Sequence, residues 1–227
     1  MKKNMLPVFL TPSERTWGLR YLLFSLIFLG PILSIVLSSV KSIYIDTAYF
    51  AINGLSVCLI FRRFLLSSFR LGFSRFGKIL LATVLGLTAY FSISATMNAL
   101  YDVIMPEFFN VNDADILKNS QDGRWLTIIG TVLLVPLAEE TLHRGLIFGS
   151  LHSKNRLLAY TVSSLLFCYI HVSGYIGAYP LPALLLCFLQ YLPAGLALAW
   201  AYEYSGSILA PILMHTAVNA IAMFTLR

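Results

Sequence analysis

Apolar residues run along this chain in windows of about 20, each long enough to cross a bilayer as a helix. The windows fall at roughly 20–40, 44–61, 79–101, 125–150, 157–176, 181–203 and 207–226. They predict an all-α fold, a polytopic transmembrane helical bundle of about seven spans. No internal repeat or low-complexity linker divides the sequence, so a single membrane domain over 1–227 is expected. Within it, 1–124 would hold N-terminal spans and loops, and 125–226 the remaining spans. Residues 61–78 break the apolar pattern. There Arg62, Arg63, Arg70, Arg75 and Lys78 interleave with Phe61, Phe64, Leu65, Leu66, Phe69, Leu71, Phe73 and Phe76. That mixture predicts an amphipathic basic segment lying at an anionic lipid interface.

Composition agrees with the pattern: 58% of residues are hydrophobic and 11% charged, and the mean hydropathy is +0.79. No ordinary polar surface can be built from that mixture, which excludes a soluble globule. The net charge of +6 needs no nucleic-acid partner, because the basic residues collect in connectors on one side. Lys2, Lys3, Arg15 and Arg20 precede the first span, the basic segment follows the second, and Lys154 and Arg156 follow the fourth. Residues 102–124 fall on the opposite side, with Asp102, Glu107, Asp113, Asp115 and Asp122 against Lys118 and Arg124. A cytoplasmic N-terminus is the expected orientation, with Glu203 and Arg227 giving weak, slightly contrary signals. The first apolar run is too long for a signal peptide and is expected to stay as an anchor. Cys58, Cys168 and Cys187 lie within spans without a CxxC spacing, so buried small hydrophobes are expected rather than a disulfide or cysteine–zinc site.

Polar residues inside the spans carry the functional question, since ionisable groups in hydrocarbon are costly and face a cavity or a partner. The fourth span holds Glu139, Glu140, His143 and Arg144. Glu140 and Arg144 are four apart on one face in the favourable acid-first order, so they are expected to neutralise each other. Glu139 is turned by about 100°, which leaves it available as a proton acceptor. His171 follows Phe167 by four, and His215 precedes Asn219 by four, each pair sharing a helix face. Counted at 1.5 Å per residue from the connector at 152–156, Glu139 lies about 18 Å and His171 about 21 Å along their helices, so they can meet at one level. His215 falls about 12 to 16 Å from its end, and three helices can converge.

Each of these residues has a plainer reading. A lone intramembrane His or Asn more often packs helices together than catalyses, and paired acids with an Arg also suit an ion network. His143 shares a face with Glu139 and is expected to give local support, while His152, in the basic connector, is expected to be solvated. Gly145 and Gly149 suit close helix packing. Pro136 is expected to kink the fourth span beside Glu139, Pro193 and Gly195 to bend the sixth, and Gly206 to mark a turn.

Taken together, Glu139-Glu140-x-x-x-Arg144, Phe167-x-x-x-His171 and His215-x-x-x-Asn219, in order on separate apolar helices, resemble the CPBP family, also called the Abi or type II CAAX prenyl protease family. The likeness covers roughly residues 125–224. It implies an intramembrane endopeptidase in which Glu139 and His171 activate a water, His215 and Asn219 stabilise the oxyanion, and Glu140 and Arg144 support the geometry. Amide hydrolysis needs those three services whatever the family. One Glu and two His are also a catalytic zinc set, so the residues alone leave divalent zinc open; the resemblance favours no obligatory metal. The implied partners are membrane lipid and a membrane-associated or lipidated peptide or protein, with no nucleic acid, in a bacterial plasma membrane. Two other classes stay open: a non-proteolytic partner in bacteriocin immunity or sensor-kinase regulation, and a transporter with a midplane carboxylate relay.

Overall fold

A computed structural model describes residues 6–225; Lys2, Lys3 and Arg227, used above for orientation, lie outside the described residues. Among the described residues eight helices follow one another: α1 (Pro12–Val36), α2 (Ser42–Ile60), α3 (Arg62–Ser74), α4 (Phe76–Ile104), α5 (Val111–His152), α6 (Arg156–Ser173), α7 (Leu181–Ser205) and α8 (Leu209–Thr225). Six are long and apolar enough to cross a membrane, and α8 is a shorter apolar helix. The expected polytopic bundle of about seven spans is therefore present.

Exposure is inverted relative to a soluble protein. Val103 is 79% and Leu157 76% exposed, whereas Arg144 and Glu140 are 0% exposed. Lipid can cover the first pair without cost, and only protein can neutralise the second. At the centre runs α5, packed against α1, α2, α6, α7 and α8, with α4 closing the bundle against α7 and α8.

Helix ends differ from the apolar windows for local reasons. At α1 the start moves back to Pro12 because Thr11 Oγ1 accepts from the Glu14 amide and Glu14 Oε2 accepts from the Thr11 amide, a reciprocal cap. The acidic stretch expected as a connector is helical from Val111, where Asn110 Oδ1 accepts from the Asn112 and Asp113 amides. Its polar side chains are taken up by α2 and the turn before it: Ser42 donates to Asn119 at 2.7 Å, Asn119 donates to Asp46, and Lys41 meets Asp122 at 2.6 Å. The helix axis breaks at Gly123, where φ is −165° and ψ 71°.

The basic segment forms α3 as expected, but one face is locked into protein. Phe64, Leu65, Ser68 and Gly72 are buried. Glu14 Oε1 accepts from the Phe64 amide at 2.8 Å, and Ser68 Oγ accepts from the Ile208 amide at 2.8 Å. Gly145 allows this approach, since a Cβ there would lie 2.8 Å from the Phe64 ring. The turn between α7 and α8 uses Gly206 in the left-handed region, φ 76°, the conformation that glycine adopts without steric penalty.

Two expectations need correction. Cys58 is exposed, while Cys168 and Cys187 are buried; Cys58 sits on an outward face of α2. His152 is not solvated. It is 8% exposed and its Nε2 lies 2.8 Å from Glu203 Oε1, because α7 returns to the end where α5 turns into α6.

Candidate active site

Each polar residue is placed by a local feature of its helix. On both sides of Glu139 and Glu140, α5 widens into π-helical turns, at Ile129–Leu134 and Thr141–Phe148, a form that recurs at functional sites. The first has a readable cause. In the wide register the amide of Val135 bonds the carbonyl of Gly130, so the next amide due, for Thr131, is that of Pro136. Proline has none. The freed Thr131 carbonyl instead accepts from Asn219 Nδ2 at 2.7 Å, tying α8 to α5. Pro136 thus acts through an orphan acceptor as well as through shape.

Glu140 and Arg144 form the expected pair. Arg144 Nη1 donates to Glu140 Oε1 at 3.1 Å and Nη2 to the Gly195 carbonyl at 3.0 Å, with both side chains fully buried. Its guanidinium also lies 4.5 Å over the Phe167 ring. Gly195 makes this reach possible, because α7 crosses Ser164 so closely that a Cβ would lie 3.0 Å from the serine Cβ. The Glu140 Oε1 atom has a second partner from a third helix: His215 Nδ1 lies 2.9 Å away.

Glu139 points elsewhere. Its Oε2 stands 3.9 Å from His171 Nε2, too far for a hydrogen bond, and accepts none from protein. His171 Nδ1 lies 2.8 Å from the Phe167 carbonyl. A carbonyl only accepts, so Nδ1 carries the proton and a neutral His171 presents a bare Nε2 to the acid. His143 behaves similarly, donating from Nδ1 to the Glu139 carbonyl at 2.8 Å, and its ring packs edge-on to Phe167 at 5.7 Å. That is support for the turn carrying the acid. Phe167 is the hub: the rings of His171 and His215 lie 4.5 Å and 5.8 Å from it.

All six sequence-derived residues therefore gather around one centre, though not in one shell. Glu139 faces His171, Glu140 joins Arg144 to His215, and Asn219 is engaged with the α5 backbone. A zinc ion would need its donors about 2.0–2.2 Å from one point. Here His171 and His215 serve different carboxylates, and among the described residues no three His, Cys, Asp or Glu side chains form a metal-holding set. The residues do not fit a zinc centre.

Sequence reasoning missed three contributors. Tyr191 of α7 stacks on His171 at 4.1 Å and 30°. Its hydroxyl donates to Asn110 Oδ1 and accepts from Asn112 Nδ2, both at 3.1 Å, so the cap of α5 fixes the ring behind the histidine. Tyr49 and Asn53 of α2 are the others. With Leu22, Ser25 and Leu26 of α1 and Glu139 of α5 they line a cleft of about 490 Å³. Glu139 is its acid. An aromatic in an apolar run looks like packing, and only topology reveals these neighbours.

Residues 121–221 match the family described as Rce1-like, Type II CAAX prenyl endopeptidase Rce1-like. No curated protein and no solved structure matches the chain. The match agrees with the likeness drawn from the three motifs and supports CAAX-type protease activity in a membrane protein.

Proposed function

Residues 121–221 match a type II CAAX prenyl endopeptidase-like family, and from that likeness we propose that the chain is an intramembrane endopeptidase whose Glu139 and His171 activate a water. The carrying observation is the 3.9 Å gap between Glu139 Oε2 and His171 Nε2, on different helices. At that separation a single water can hydrogen-bond both atoms, about 2.8 Å from each. The bare Nε2 and the carboxylate then share the removal of its proton as the oxygen attacks the scissile carbonyl, and the proton passes to the leaving amine.

Negative charge developing on the carbonyl oxygen needs donors already in place. Asn219 commits one Nδ2 hydrogen to Thr131 and keeps the second. His215, held through Nδ1 by Glu140, is the second group assigned to the oxyanion. Arg144 balances Glu140 and fixes its oxygen, so these two are positioning residues. The substrate is a membrane-associated or lipidated peptide or protein, taken in extended form through the apolar cleft beside Glu139. The membrane in this reading is a bacterial plasma membrane, and the basic residues of α3 and of the start of α6 support a cytoplasmic N-terminus.

The test compares peptides released from membranes carrying the wild type, Glu139→Gln or His171→Ala at equal protein abundance. A cut present only with the wild type is expected. If the three membranes yield the same peptides while the biological effect persists in both variants, the chain acts as a non-proteolytic partner.

A further inference from the structure

At the end of the bundle away from Tyr191 lies a second cleft, of about 960 Å³, lined among others by Arg75, Lys78, His152, Arg156, Trp200 and Tyr204. We propose that it is a phospholipid site that selects an anionic headgroup, independent of the peptidase reading. Two connectors and the end of α7 meet here: the α3–α4 junction gives Arg75 and Lys78, the α5–α6 turn gives His152 and Arg156, and α7 gives the aromatics. One acid, Glu203, is present, and its charge is already spent. Arg156 binds it through Nε at 2.6 Å and Nη2 at 2.8 Å, Tyr160 donates to it at 2.6 Å, and His152 Nε2 lies 2.8 Å away.

Arg75 and Lys78 remain. Neither meets a carboxylate among the described residues, and both are exposed. The Lys78 ammonium is held 5.1 Å over the Tyr204 ring, which stacks on Trp200 at 5.0 Å and 17°. Fixed cations beside Trp and Tyr at the end of a span are what a headgroup phosphate meets at the interface, its glycerol backbone against the rings. Free phosphate shares the charge but lacks acyl chains to lie along the exposed apolar wall of α4, where Leu80 and Leu81 are outward. The lipid is therefore the better occupant.

The experiment uses full-length protein in zwitterionic micelles, titrated with phosphatidylglycerol or phosphatidylcholine and read by native mass spectrometry. One phosphatidylglycerol is expected to be retained in preference. Arg75→Gln with Lys78→Gln is expected to weaken that retention roughly 25-fold, from about fivefold per charge near an anionic surface. Arg62→Gln with Arg63→Gln removes the same charge from exposed positions of α3 outside the cleft, and is expected to leave it unchanged. Trp200→Leu, which keeps every charge, is expected to reduce it severalfold. Equal losses from both charge pairs, or none from the cleft pair, would overturn the site in favour of diffuse attraction or no binding. If inorganic phosphate at millimolar concentration displaces the lipid fully, the cleft is a free-anion site and the lipid assignment fails.

Discussion

Two carboxylate–histidine–arginine clusters lie in this molecule, one at its centre and one at its basic end, and they use their acids in opposite ways. At the end, Glu203 is saturated: Oε1 serves His152 and Arg156, Oε2 serves Arg156 and Tyr160. At the centre there are two adjacent acids, and the partners are divided unequally between them. Glu140 takes Arg144 and His215, both on Oε1, and neither its Oε2 nor Glu139 Oε2 has a hydrogen-bond partner; Glu139 Oε2 is the one that faces a histidine, 3.9 Å from His171 Nε2. The same residue types make a saturated clamp at the end and, at the centre, a divided pair in which one acid holds the arginine and the other faces a histidine without a hydrogen bond.

The comparison is broken most sharply by exchanging each acid for its amide. Glu139→Gln is expected to lower proteolysis roughly 10²- to 10⁴-fold, the usual contribution of a general base, with membrane abundance unchanged. Full activity in Glu139→Gln would show that Glu140 is the base and that the division is reversed.

A second large effect concerns folding rather than rate. Arg144→Met leaves Glu140 charged within the bundle and is expected to destabilise the protein by about 3–5 kcal/mol, read by thermal unfolding in detergent. Arg144→Lys is not expected to rescue it, since one ammonium cannot reproduce the fork that spans Glu140 and the Gly195 carbonyl. Adding Glu140→Gln to Arg144→Met is expected to recover much of the loss, because the stranded charge is then gone. If the double variant is as unstable as the single, packing of the guanidinium on Phe167 is the dominant contribution.

How far the sequence disclosed these two clusters follows from distance along the chain. The Glu140–Arg144 pair is a helical i, i+4 contact, and the separate fate of Glu139 follows from one residue's rotation. Charges inside apolar runs stand out, so His171 and His215 are also visible, and their common level follows from rise per residue. The clamp at the basic end was misread because His152 and Glu203 are 51 positions apart, and nothing local marks them as partners. The helical start at Val111 was missed because its acidic surface looks like a connector until Ser42 and Asp46 of α2 are seen to bind it. The tie between Asn219 and Thr131 was hidden for another reason. It depends on a wide helical register that meets Pro136, and register is not written in hydropathy.

Tyr191 sharpens the comparison at a smaller scale, because its contacts give His171 a fixed backing that His152 obtains from Phe148, whose ring stacks on it at 5.2 Å. Tyr191→Leu removes the stack and leaves Asn112 Nδ2 without its acceptor, so a fall of about 10-fold in kcat with a smaller change in KM is expected, from roughly 1.4 kcal/mol of lost positioning. Tyr191→Phe keeps the ring and is expected to lose less. Equal losses in both variants would place the effect in the hydroxyl and the α5 cap instead of the stack.

The smallest effect is expected where the partners are most numerous. Glu203→Gln removes a charge from a network whose Arg156 side chain is 67% exposed, and an ion pair so open to water contributes about 0–1 kcal/mol. Glutamine keeps an acceptor for Tyr160 and still reaches His152, so the expected cost in thermal unfolding is at most about 1 kcal/mol, with proteolysis unchanged. Arg156→Gln is expected to cost no more, since it frees an acid that His152 and Tyr160 still serve. If Glu203→Gln instead unfolds the protein as severely as Arg144→Met, the basic end is as dry as the centre. The contrast between a saturated interfacial clamp and a buried divided pair then rests on partner count alone, not on solvent.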